Sequence, residues 1–206
     1  MDIILVEQNT PEWDELRRGK ITSSAFSNII TGTGKPSASR DKYLLKVAAG
    51  AVFGVVDGGG FSSYEMRRGH LLQPEATASY CFANNAEVAT EVFCVDDTGF
   101  VGASPDGLIE NEKGGLEIKC RNIDLHLAAM REKEFNIMTG DIPQVQGCLW
   151  LTKYEWWDYM WYYPGLPDLI VRVYPDREYH EKLDNYMGTS IPRLIEFINE
   201  FKHKYL

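Results

Sequence analysis

The chain has 206 residues, 44% hydrophobic and 25% charged, enough to bury one core and to fold as a single domain over 1–206. Its formal net charge of −9 argues against a broad, tight, sequence-independent grip on nucleic acid. It leaves room for a local basic channel, because what matters is the field where the ligand lies. No apolar run reaches the roughly 18 residues of a membrane span. The first residues also lack the basic and apolar regions of a secretory signal, so a cytoplasmic protein is expected.

Residues 2–8 read as a short strand or an extended arm. Thr10-Pro11-Glu12 opens a helix with a cap, a proline in the first turn and an acid; it runs to about Arg18 and stops at Gly19. Ile21-Thr22-Ser23-Ser24 leads into a second short helix through Ile30. Its hydroxyl-rich start beside Arg17 is either an ordinary capped terminus or an anion site. A loop over 32–37 precedes a helix capped by Ser39 and running to about Ala49. Asp57-Gly-Gly-Gly60 is a turn and not a phosphate loop, since no Gly-Lys-Ser/Thr follows. Residues 63–83 are predicted helical, with Pro74 kinking the helix or marking its restart. Basic residues gather in three groups: Arg17, Arg18 and Lys20; Arg40, Lys42 and Lys46; Arg67, Arg68 and His70. Each group alone reads as readily as a solvated helix face.

A strand over 91–95 and a turn over 96–99 lead into the stretch on which function turns, 102–120, GASPDGLIENEKGGLEIKC. Two apolar runs joined by a polar, Gly-containing loop predict a β-hairpin. Strand alternation puts Glu117 and Lys119 on one face and Leu116, Ile118 and Cys120 on the other, and Asp106 lies near the start of the facing strand. Two carboxylates and an ammonium then meet. Such a set suits phosphodiester hydrolysis: carboxylates hold a hard cation such as Mg²⁺, and Lys119 positions a water or neutralises charge on the phosphate.

Beyond the hairpin, Asp124 is expected to cap a helix to about Phe135, and 142–151 reads as a helix with Pro143 in its first turn. YEWWDYMWYY, 154–163, has strand character and reads as a central strand buried on both faces; stacking of its aromatics on DNA bases is the alternative. A strand over 169–174 follows. The remainder, from Asp176, is predicted helical with a break between Gly188 and Pro192, its Ile191, Leu194, Ile195, Ile198 and Phe201 packing inward or on a second subunit. Cys81, Cys94, Cys120 and Cys148 are widely spaced among apolar neighbours, which predicts free buried thiols and no zinc or iron–sulfur site.

SPDGLI…GGLEIKC resembles the catalytic core of the PD-(D/E)xK nucleases, and within them the phage lambda exonuclease and viral recombinase branch. WDELRRGKITSSAF is similar to that branch's N-terminal motif, RRGHLLQPEATASY to the helix before its core, and IPQVQGCLWLT to the glutamine-containing helix after it, in the family's order. The resemblance implies an α/β, restriction-endonuclease-like core with a mixed central β-sheet flanked by helices. It implies a Mg²⁺-dependent exonuclease (Mn²⁺ substituting) that degrades one strand of duplex DNA from the 5′ end. Asp106, Glu117 and the Ile118 carbonyl would hold metal, Lys119 and Gln144 would serve catalysis, and Arg17, Ser24 and Ser104 would grip the terminal 5′-phosphate. At the family's additional glutamate this chain has Gln73, with Glu75 two residues on. The implied partners are double-stranded DNA ends, two further copies in a homotrimer ring, and a single-strand annealing protein, in the cytoplasm of a bacterial host. The rivals are another nuclease of the superfamily, an endonuclease or junction resolvase, and a non-catalytic DNA-end-binding module.

Overall fold

The structure is a computed structural model that describes residues 1–54 and 64–206. The turn expected at Asp57–Gly60 lies outside the described residues. Strands β1 (Asp2–Leu5), β2 (Ile21–Thr22), β3 (Val92–Val95) and β4 (Val101–Ala103) form one four-stranded sheet in the order β1-β3-β4-β2. Strands β5 (Gly107–Ile109), β6 (Gly114–Lys119), β7 (Trp156–Trp161) and β8 (Leu169–Val173) form a second in sequence order. Each mixes parallel and antiparallel pairs, β2–β4 and β6–β7 being parallel. The expected central sheet is thus two sheets. They meet where Ala89, just before β3, pairs with Leu108 of β5 through main-chain bonds of 2.8 and 2.9 Å.

The split falls at Pro105. The apolar run FVGASPDGLI makes β4 in one sheet and β5 in the other, because proline has no N–H to keep a ladder going. The hairpin is β5 against β6, registered Gly107↔Leu116 through Ile109↔Gly114. Gly114 and Gly115, expected in the loop, are strand residues. Their missing side chains make room for the Trp156 and Trp157 rings of β7: a Cβ would come within 2.2 and 2.3 Å of those rings. Gly115→Ala is therefore expected to lower stability by about 1–3 kcal/mol, read as a lower urea midpoint, since the Trp157 ring is fully buried and cannot swing aside.

β7 is buried along its whole length, on both faces. Trp157, Tyr159 and Trp161 enter a large core with Phe26, Val145 and Leu194, while Trp156, Met160 and Tyr162 enter a smaller one with Ala76, Tyr80, Leu116 and Ile118. The aromatic run is core. Asp158 sits on the second face, 2% exposed. It accepts two bonds from Arg172, 2.8 and 2.9 Å, and one from the Tyr80 hydroxyl, 2.7 Å. The Arg172 guanidinium also lies 3.6 Å over the Trp156 ring.

The helices are α1 (Pro11–Arg17), α2 (Arg40–Phe53), α3 (Tyr64–Asn84), α4 (Ile123–Met130), α5 (Ile142–Thr152) and α6 (Arg177–Tyr205). Thr10 caps α1 as expected, accepting from the Trp13 N–H at 3.3 Å, and Gly19 leaves the helix with φ +72°. Residues 23–28 form a tighter 3₁₀ turn, and the Thr22 hydroxyl makes no cap bond. Ser39 does not cap α2: its backbone, at φ −88° and ψ 0°, lacks the extended conformation of a cap, and its hydroxyl donates to Asn28 Oδ1 at 2.9 Å; the helix runs to Phe53. Asn122 caps α4 in place of Asp124, accepting from the Leu125 N–H at 2.9 Å, and α4 stops at Met130. Neither Pro74 nor Pro192 breaks its helix. Each removes one helical bond, but burial of Ala76 and Tyr80 in α3, and of Leu183, Met187, Leu194 and Phe197 in α6, outweighs that loss. Ile191, Ile198 and Phe201 pack on the large core, whereas Ile195 is exposed. All four cysteines are free, Cys94 and Cys148 fully buried. Among the described residues, no helix is long and apolar enough to cross a membrane.

Candidate active site

The β5–β6 hairpin brings its chain-distant carboxylates together. Asp106 precedes β5 by one residue and bends back over β6, where its Oδ2 accepts the Ile118 main-chain N–H at 2.6 Å. Its Oδ1 accepts from Gln73 Nε2 of α3 at 2.8 Å. Glu117 is 3% exposed, with one oxygen bonded to Lys119 Nζ at 2.7 Å. Lys119 Nζ also donates to Gln144 Oε1, 2.9 Å away at the start of α5. The parallel β6–β7 pairing explains that reach: the crossover between the strands carries α4 and α5, and delivers α5 beside the end of β6.

These residues line one cleft of about 570 Å³ that also takes in Ser24, His70, Arg121 and Asn122. Desolvation raises the Asp106 carboxyl well above its ordinary range, and the neighbouring Glu117 charge pushes the same way; the Ile118 N–H and Lys119 offset this only in part. Burial works to lower the Lys119 pKa. The charge and hydrogen bond of Glu117, with Asp106 and Asp141, outweigh it, so the ammonium is held above its ordinary value.

Two observations test whether the donor set suits a metal ion. Glu117 Oε2 is buried with no hydrogen-bond partner among the described residues, an arrangement that costs stability unless something binds there. The two carboxylates raise each other's energy in the same way. Among the described residues no three His, Cys, Asp or Glu side chains converge. An ion here would therefore complete its shell from main-chain oxygen and water, which suits a hard cation that keeps several waters. The residues fit.

Gln73 is thus drawn into the site, while Glu75 does not line the cleft and lies instead beside Tyr162, whose pKa burial pushes up to about 12. With α3 unbroken at Pro74, positions 73 and 75 lie on different helix faces. Arg121 was not among the expected site residues. It lines the cleft, pairs with Asp141 at the start of α5, and lies 5.5 Å over the Trp161 ring. The Tyr159 hydroxyl donates to the same Asp141 carboxylate and accepts from Trp161 Nε1 at 2.7 Å. Alternation from 117 and 119 to 121 is the signal that could have found it. Arg68 clamps the strand end, donating to the carbonyls of Cys120 and Arg121 at 2.9 and 3.0 Å.

The three residues expected to grip a terminal phosphate form a chain at the edge of the cleft. Arg17 Nη2 lies 3.4 Å from Ser24 Oγ and 3.5 Å from Thr22 Oγ1, and the guanidinium sits 4.2 Å over the Trp13 ring. The Trp13 indole N–H donates to Ser104 Oγ at 2.7 Å. Ser104 therefore joins Arg17 through Trp13, a link across 91 positions that nothing local in the sequence announces.

A helix-flanked mixed sheet whose hairpin gathers two carboxylates, a lysine and a glutamine in one cleft is the architecture of the PD-(D/E)xK nucleases. The sequence model of the YqaJ-like viral recombinase domain matches residues 12–155, and the chain belongs to that family. Two crystal structures of an alkaline exonuclease (LHK-Exo) from Laribacter hongkongensis, one in complex with dAMP, are similar at TM-score 0.81 and 26% identity, covering 95% of this chain and 97% of theirs. A phage-related exonuclease from Haemophilus somnus 129PT shares the fold at TM-score 0.63 and 14% identity, over 91% of this chain and 99% of that one. No curated protein matches the chain. The protein is a nuclease of the phage exonuclease type, a hydrolase acting on DNA.

Proposed function

We propose that the protein, as a single nuclease domain, is a Mg²⁺-dependent exonuclease. It digests one strand of linear duplex DNA from the 5′ end, releases 5′-phosphomononucleotides and leaves 3′ overhangs for phage-type recombination by strand annealing. The observation that carries this reading is the meeting of Asp106, Glu117, Lys119 and Gln144 in one cleft, with Arg17 and Ser24 at its edge. The relative that binds dAMP, a mononucleotide, supports it.

Asp106, Glu117 and the Ile118 carbonyl would hold the metal, Mg²⁺ or Mn²⁺, with Gln73 donating to Asp106 Oδ1. Bound there, the ion would supply Lewis-acid polarisation of the scissile phosphate and a lowered pKa for bound water. Lys119, tied to Glu117 and Gln144, keeps its charge, which suits stabilising the phosphate as negative charge builds more than taking a proton. Gln144 fixes the ammonium from its other side. Arg17, Ser24 and Ser104 would hold the 5′-phosphate and set the end of the strand one bond from the metal. A homotrimer ring around DNA and an annealing partner complete the reading, in the cytoplasm of a bacterial host.

Linear and covalently closed circular duplexes, each with Mg²⁺ or EDTA, test this class of activity. Loss of the linear form only, and only with metal, is the expected result. Cutting of the circle would make the protein an endonuclease. A second expectation concerns the phosphate grip. Arg17→Ala should erase the preference for 5′-phosphorylated over 5′-hydroxyl ends, slowing the first by about 10-fold or more, since charge-assisted bonds to phosphate are worth about 1.5–3 kcal/mol. Equal slowing of both ends would remove Arg17 from that role.

A further inference from the structure

Two of the three basic groups in the sequence face each other across one cavity. Gly19, at φ +72°, reverses the chain after α1 and packs against Ala51 of α2, where a Cβ would come within 3.0 Å of the Ala51 Cβ. That packing sets Arg17, Arg18 and Lys20 opposite Lys42 and Lys46 around a space of about 440 Å³. Among the described residues five cationic side chains line it against one carboxylate, Asp14. Arg18 is ion-paired with Glu15, and the remaining excess of cations over carboxylates still makes the local field positive in a chain of net charge −9.

The cavity and the catalytic cleft share no lining residue, and Arg17 links the two. Ser24 lines the cleft and Thr22 lines the cavity, and Arg17 Nη2 lies within 3.5 Å of both hydroxyls. Arg17 is the wall between them. Its guanidinium is partly buried against Trp13, and its hydrogen bonds go to neutral hydroxyls. A desolvated cation held that way favours an anion as its partner. Tyr43, which also lines the cavity, accepts the Thr22 N–H at 3.1 Å. Burial raises its pKa, so the phenol keeps a proton to donate.

We infer that this cavity is a second anion site, which takes the phosphate of a nucleotide lying beyond the terminal-phosphate position. The inference rests on the reading of Arg17 and Ser24 as the grip on that terminal phosphate. A strand whose 5′-phosphate sits at Arg17 ends at the wall, so a nucleotide on the far side has one of two sources. It is the released mononucleotide on its way out, or it belongs to a 5′ extension running past the blunt position. Both present the same phosphate-ester chemistry to Lys20, Lys42 and Tyr43, and a mononucleotide matches the cavity in scale.

The test is the Lys20→Gln/Lys42→Gln double variant, which leaves the residues of the catalytic cleft intact. Digestion of blunt, 5′-phosphorylated duplex should match the wild type. If the cavity holds a 5′ extension, the variant digests ends with a two-nucleotide 5′ overhang about tenfold more slowly. If it holds released product, inhibition by thymidine 5′-monophosphate needs about tenfold more nucleotide. An unchanged rate on overhangs together with unchanged inhibition would overturn the inference. Should the wild type fail to digest linear DNA at all, the exonuclease reading falls by itself. Calorimetric binding of thymidine 5′-monophosphate in EDTA then still decides the cavity: weaker binding by the double variant supports it, and equal binding overturns it.

Discussion

Asp106→Asn is expected to cut digestion of linear duplex DNA by at least about 10³-fold, equivalent to roughly 4 kcal/mol in the transition state. The asparagine keeps the shape: its oxygen accepts the Ile118 N–H, and its NH2 meets Gln73, whose side-chain amide turns over to accept in place of donating, so the β5–β6 pairing stays in place. What goes is half of the charge that draws a divalent ion to the pair. Because two nearby carboxylates in a desolvated site oppose each other, the metal-free variant should melt no lower than the wild type. Circular dichroism melting beside a single-turnover digestion assay reads both quantities. A variant that digests DNA at the wild-type rate would take Asp106 out of the mechanism.

Lys119→Ala carries the second large effect, a loss of about 10²–10³-fold, the usual scale for removing a group that stabilises developing charge. It differs from Asp106→Asn in its structural cost. Lys119 Nζ is shared between Glu117 and Gln144, and Glu117 already has one buried oxygen without a partner. Truncation leaves both Glu117 oxygens unpaired, so stability should fall by about 1–3 kcal/mol in metal-free buffer. Added Mg²⁺ should restore part of that stability without restoring digestion. Stability that ignores the metal in both proteins would count against Glu117 as a ligand.

The β5–β6 hairpin was legible because alternation is a property of short range: once 114–119 is a strand, Glu117 and Lys119 must share a face and Leu116 and Ile118 the other. The aromatic run was legible as core for the same reason, its two faces entering two apolar clusters. What local reading missed was set by distant partners. Gly114 and Gly115 look like a loop until Trp156 and Trp157 are laid across them. Pro74 and Pro192 look like breaks until the burial on either side is counted. Ser39 looks like a cap, but the turn it sits in holds its backbone out of the extended conformation a cap needs.

The site divides in the same way. Asp106, Glu117 and Lys119 follow from residue chemistry and hairpin spacing. Gln73 and Gln144 are neutral amides whose only signal in the sequence was family resemblance, and the structure places each in a direct hydrogen bond with a member of that trio. Glu75 had the better chemistry for a metal ligand and the wrong helix face. The bridge from Arg17 through Trp13 to Ser104 joins the first helix to the residue beside Pro105, and only the fold creates it.

The most direct test of the account follows single labels on linear duplex DNA, one at the 5′ end and one at the 3′ end, with Mg²⁺ present and the products resolved by size. The 5′ label is expected to leave first, as a mononucleotide, while the 3′ label stays on a long single strand until late in the reaction. Early release of the 3′ label, or of the 5′ label within long fragments, would contradict it.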